Sequence, residues 1–128
     1  MKRRDIFGIR SVKGAVRAGI DVLLARNGLK PSDVDRALIA GSFGYHLTVR
    51  SLVDIGLFPP EFDGKVEYVG NTSRTGAETL LTNGDSRAAL LAQVAEVDAV
   101  ELANDEGFTK LFVSAMAFPA RPQLEQVA

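Results

Sequence analysis

The sequence predicts an α/β fold, a layered one with a small, mostly parallel sheet and flanking helices, and three observations carry that prediction. Helix-period and strand-type segments alternate along the chain, as they do where crossover helices link parallel strands. The clearest strand, Ala37-Leu38-Ile39-Ala40, is a short apolar run without alternation, the pattern of a strand buried on both faces. Each strand candidate also ends at a glycine or a capping residue that opens the next helix.

The elements follow in order. From Ser11, apolar residues fall at Val12, Ala15, Val16, Gly19, Ile20, Leu23 and Leu24, the face of an amphipathic helix. Lys13, Arg17 and Asp21 line its opposite, solvated side, and Gly14, Ala15, Ala18 and Gly19 make the packing surface small. Asn27-Gly28 stops the helix and Lys30-Pro31-Ser32-Asp33 turns the chain into the strand Ala37–Ala40. Leu47 to Ile55 forms the next helix, stopped by Gly56 and Pro59-Pro60. A second strand covers Lys65 to Val69, and Asn71, Thr72 or Ser73 caps a helix running through Ala77 and Leu81.

After Asn83-Gly84, Asp85 or Ser86 caps a helix carrying Ala89, Leu90, Val94 and Val97. Asp98 to Asn104 reads as a third strand. Asn104 or Asp105 then caps a last helix with Phe108, Leu111, Phe112, Ala115 and Met116, ended by Pro119 and Pro122. The expected organisation is one α/β lobe over residues 1–119 and a frayed tail over 120–128.

Composition narrows the function. A net charge of −1 with both signs mixed along the chain gives no footprint for nucleic acid or an anionic membrane. No apolar run reaches the ~20 residues of a membrane span, and the basic start is not followed by the apolar core of a signal peptide. The absence of cysteine removes disulfides, thiolate zinc and iron–sulfur ligation, and fits a cytoplasmic setting.

Two glycine turns are the candidate sites. Gly41-Ser42-Phe43-Gly44 stands between strand and helix, where glycines admit positive φ and close approach of a ligand, and helix-start N–H groups attract an anion. The carboxyl end of a strand is also where ligands gather in open α/β sheets. The pattern lacks the lysine of a P-loop and the third glycine of the Rossmann turn, so on spacing alone a tight strand-to-helix corner is favoured over a ligand site. Gly70-Asn71-Thr72-Ser73 repeats the logic, and helix capping alone accounts for its side chains. His46, the lone histidine, has no serine–acid partnership, and Asp33, Asp35 and Asp54 are not gathered for a metal. Lys13 and Arg17 can reach a phosphate or line a solvated face; Phe43 and Tyr45 can shield a base or plug the core.

Three blocks together are more specific than either turn. Ala15 to Pro59, Val66 to Leu81 (VEYVGNTSRTGAETLL) and Val100 to Pro119 (VELANDEGFTKLFVSAMAFP) resemble the C-terminal part of the reductive activators of corrinoid proteins. These are ATP-dependent activases with a nucleotide domain of the acetate kinase, sugar kinase, heat-shock chaperone and actin superfamily. The resemblance implies one lobe of an actin-like ATPase domain. It places Gly41, Ser42, Phe43 and Gly44 near adenine and ribose, with Gly70 and Asn71 as weaker site residues. Gly76 and Ala77 would permit close helix contact between two lobes.

The same resemblance sets limits. The superfamily's glycine pair is Gly41-Ser42 here, which narrows the adenine slot or adds a hydrogen bond. The phosphate loops and magnesium acids belong mainly to the first lobe, so ATP would be held on its adenosine side only, with magnesium held outside this chain. The expected partners are the rest of the activator (first nucleotide lobe and a ferredoxin-like domain with a [2Fe–2S] cluster) and a corrinoid protein or methyltransferase. Without cysteine this chain holds no cluster, and His46 lacks the Asp-x-His-x-x-Gly companions of a corrinoid carrier. The expectation is therefore a nucleotide-binding lobe that does not hydrolyse ATP alone. The alternative is a non-catalytic interaction domain that dimerises through its exposed lobe surface.

Overall fold

Helix α1, Arg3–Arg26, is the longest element, and the last helix of the chain packs along it. It begins well before Ser11 because no proline interrupts the segment and Asp5 sits in the first turn, at the positive end of the helix dipole. Its end is closed as the sequence predicts. Gly28 takes φ +64°, Leu29 N–H donates to Leu24 C=O at 2.9 Å and Gly28 N–H to Ala25 C=O at 3.1 Å, a Schellman closure.

The computed structural model describes residues 3–41 and 47–120. Most of the expected tail, beyond Ala120, therefore lies outside the described residues. After α1 come a 3-10 turn at Pro31–Asp33, β1 (Ala37–Ala40), α2 (Val49–Asp54), a 3-10 turn at Pro60–Phe62 and β2 (Val66–Gly70). α3 (Thr72–Thr82), α4 (Asp85–Ala95), a 3-10 turn at Leu102–Asn104 and α5 (Phe108–Ala115) complete the order. Among the described residues no helix is long and apolar enough to cross a membrane.

The sheet is parallel and two-stranded, with Ala37 opposite Val66, Ile39 opposite Tyr68 and Ala40 opposite Gly70 after a register shift. Its start is pinned by Lys65, whose ammonium donates to the carbonyls of Ser32 (3.0 Å) and Val34 (2.6 Å). The Arg36–Glu67 pair closes the same end, and the guanidinium holds the Glu67 carboxyl below its ordinary range. The third strand expected at Asp98 to Asn104 is not there. Its backbone closes locally instead, Asn104 N–H on Glu101 C=O (3.2 Å) and Asp105 N–H on Leu102 C=O (3.1 Å). Leu102 meanwhile lies over Gly19, 3.3 Å from where a Cβ would stand, so the segment packs on α1 rather than pairing with a strand. With only two strands, β1 is not buried on both faces: Leu38 is 57% exposed.

The packed face of α1 also differs from the expected one. The buried positions are Lys13, Gly14, Ala18, Gly19 and Val22, while Val12 and Val16 face solvent. α5 causes this. Gly14 admits it so closely that a Cβ would lie 3.0 Å from the Met116 side chain and 3.1 Å from the Phe112 carbonyl. Lys13 then runs under the end of α5, where its ammonium donates to the carbonyls of Ala115 and Ala117 (2.7 Å) and lies 5.4 Å from the Phe118 ring centre. Arg10 Nε donates to Met116 C=O at 2.9 Å. Cations at the negative end of a helix dipole, bonding its last carbonyls, are stabilising. Burial, then the neighbouring Arg17 and Arg10, push the Lys13 ammonium below the ordinary lysine value. Around α2, Leu52, Pro59 and Phe62 are buried, with Phe58 and Phe62 rings 5.9 Å apart.

Candidate functional site at the strand ends

Parallel strands β1 and β2 finish side by side, and two predicted site residues meet there. Gly41 follows β1 with φ +101° and Gly70 ends β2 with φ +71°, both in the region that favours glycine. Gly41 N–H donates to Gly70 C=O at 2.8 Å, so one backbone bond ties the corners together. A Cβ on either glycine would meet no heavy atom of the described residues within 4 Å. Among the described residues, the strand ends thus present bare backbone with no side chain against either glycine.

Asn71, the third predicted residue described, caps α3: its side-chain carbonyl accepts from Arg74 N–H at 3.1 Å. Its backbone carbonyl accepts from Thr75 N–H and from the Thr75 hydroxyl. The capping role therefore uses the Asn71 side chain, and α3 starts at Thr72, two residues after Gly70 ends β2. Ser42, Phe43 and Gly44, with Tyr45 and His46, lie outside the described residues.

The segment that leaves Gly41 re-enters at Leu47, and there β2 holds it again. The Tyr68 hydroxyl donates to the Leu47 carbonyl, and Thr48 then caps α2 by accepting from Ser51 N–H at 3.2 Å. The loop between β1 and α2 is thus fastened to β2 at both ends, by Gly70 before it and Tyr68 after it. Tyr68 was not legible as a site residue: in the sequence it is one aromatic in a strand, and its partner is a backbone carbonyl.

Other candidates separate from this corner. Lys13 is committed to the α5 carbonyls, and Arg17 to Asp21 at 3.0 Å. Asp33 accepts from Lys30 N–H and Asp54 pairs with Arg50. Among the described residues no group of three or more histidine, cysteine or acidic residues is placed to hold a metal ion. Gly76 does not meet a packed neighbour; with Thr75, Thr79, Leu80, Ser86, Ala89, Leu90 and Gln93 it lines an open groove of about 330 Å³ between α3 and α4.

Comparison with known proteins agrees with the sequence resemblance. Residues 1–127 match the family described as the C-terminal domain of RACo, the ASKHA domain. The chain is also similar to the corrinoid activation enzyme RamQ of Eubacterium limosum, with 28% identity over 116 residues. That match covers 91% of this chain and 20% of the relative, so the chain spans about a fifth of that enzyme's length.

Proposed function

The chain belongs to the family of the C-terminal ASKHA domain of RACo, and from that premise we propose that it is the adenine-nucleotide-binding lobe of an ATP-dependent reductive activator of corrinoid proteins. The observation that carries the reading is the pair Gly41 and Gly70, bonded to each other at the strand ends with no heavy atom of the described residues within 4 Å of where either Cβ would stand. A flat ring can lie against such backbone without meeting a side chain of the described residues, and a ribose hydroxyl can accept from an N–H of Thr72 or Ser73 at the entrance of α3. Gly41 to Gly44 would hold the adenosine side, with Gly70 and Asn71 at its border.

When bound, ATP would supply the phosphoryl chemistry. Magnesium and the phosphates would be held by residues outside this chain, since phosphoryl transfer needs several groups and a metal positioned together. The lobe would act with a first nucleotide lobe and a ferredoxin-like domain of an activator, on a corrinoid protein or methyltransferase. A reducing cytoplasm suits a chain without cysteine.

Titration of the chain with ATP, followed by amide NMR and calorimetry, tests the proposal. The expected result is a shift of the Gly41, Gly44 and Gly70 amides that adenosine alone reproduces. If saturating ATP leaves those amides unmoved, the site assignment fails.

A further inference from the structure

Strand β2 holds the chain at two points around its departure from β1. Gly70, the last residue of β2, accepts from Gly41 N–H at 2.8 Å, and Tyr68, two residues earlier, donates its hydroxyl to the Leu47 carbonyl. Gly41 and Leu47 are six residues apart in the chain, a span that extended backbone stretches to about 20 Å. Their two holding points on β2 are separated by about 7 Å of strand. Bringing the ends of a segment together costs chain entropy, and a bond at the second end offsets that cost before any ligand arrives.

Helix α2 does not supply this anchor. Thr48 caps it by accepting from Ser51 N–H at 3.2 Å, and the Leu52 carbonyl accepts from Leu57 N–H (2.9 Å) and Phe58 N–H (3.2 Å), so α2 closes on the segment that follows it. The Tyr68 hydroxyl instead ties the start of α2 to the sheet, from a half-buried position opposite Ile39 in the strand register.

We propose that Tyr68 is a positioning residue of the nucleotide corner. It touches no nucleotide; by fixing Leu47 it sets where the chain that leaves Gly41 returns, and so lowers the ordering cost of binding adenosine beside Gly41 and Gly70. This role rests on the nucleotide reading proposed above. A bond that served only the sheet would act equally from either end of it. The Arg36–Glu67 pair joins the same two strands at their opposite end, which makes Glu67→Gln the control.

The test compares Tyr68→Phe, which removes the hydroxyl and keeps the ring, with Glu67→Gln in the full chain. Both changes preserve side-chain shape, so circular dichroism should match the parent. Without nucleotide, the Ser51 and Leu52 amides, which bond to Thr48, should exchange their hydrogens about three- to ten-fold faster in Tyr68→Phe, the loss of one hydrogen bond, and at the parental rate in Glu67→Gln. By calorimetry, Tyr68→Phe should bind ATP and adenosine about three- to ten-fold more weakly, while Glu67→Gln binds as the parent does. Unchanged exchange at Ser51 and Leu52 would overturn the anchoring whatever ATP does. Faster exchange with parental affinity, or an equal loss of affinity in Glu67→Gln, would overturn the positioning role and leave the nucleotide reading standing. A parent chain that binds no ATP would sink that reading and the role with it, and faster exchange in Tyr68→Phe would then mark a bond that serves the fold alone.

Discussion

Gly41 and Gly56 both hold positive φ, and what a side chain would cost differs between them. At Gly41 a Cβ meets no heavy atom of the described residues within 4 Å, so alanine there adds the strain of a left-handed backbone, about 1–2 kcal/mol. At Gly56, φ +75°, a Cβ would in addition stand 2.8 Å from the ring of Pro119, and overpacking raises the loss to about 2–4 kcal/mol. Urea unfolding should therefore rank Gly56→Ala below Gly41→Ala in stability, and equal losses would mean that Pro119 yields freely. Lys13→Met should lose about 1–3 kcal/mol in the same assay, because the carbonyls of Ala115 and Ala117 lose their donor. Glycines at strand ends were legible because the residue type itself states the backbone need. Lys13 was not, since periodicity reads a lysine as solvated, whereas here a helix terminus distant in sequence supplies the carbonyls that bury it.

At the scale of elements, the junction of α1 with α5 turns on Asp105. Its carboxylate accepts from Gly107 N–H at 2.9 Å and Phe108 N–H at 3.2 Å, closing the entrance of α5, and pairs with Arg26 at the end of α1. The Arg26 guanidinium first, then the Gly107 N–H, hold this carboxyl below the ordinary aspartate value. A carboxyl lowered in the folded state contributes stability that is present above the unfolded value, near 4, and is lost as the pH falls through the folded one. Asp105→Asn should therefore melt below the parent chain at neutral pH, and the two melting temperatures should converge as the pH falls through the lowered folded-state value of Asp105. A gap that persists in acid would assign the effect to packing rather than charge. The capping role of Asp105 could be read from its position before an apolar period, as could β1, β2 and α3. The segment Asp98 to Asn104 could not: its apolar residues suit a strand or a packed turn alike, and only contact with Gly19 of α1 decides.

For the whole molecule the deciding quantity is surface. The chain exposes 10,243 Å², whereas a compact monomer of 13.7 kDa exposes about 6,600 Å². Among the described residues, Leu38 on β1, Leu81 on α3, Leu91 and Val94 on α4, and Val12 and Leu23 on α1 all face water. An α4 that is apolar on nearly every side is built to be enclosed, and a two-stranded parallel sheet is built to be extended. Sequence periodicity registers such faces but not what covers them, which is why the fold class was legible and the burial was not. The consequence is measurable. An unfolded chain of this mass exposes about 20,000 Å², so unfolding this one uncovers roughly three quarters of the surface expected for its length. The denaturant m-value and the heat-capacity change scale with that area, and both should come out at about three quarters of the values usual for a domain of this size. Full values in dilute solution would mean that α3, α4 and the sheet close on one another in a way that leaves no face for a partner, and the reading of this chain as one lobe of a larger activator would fall with them.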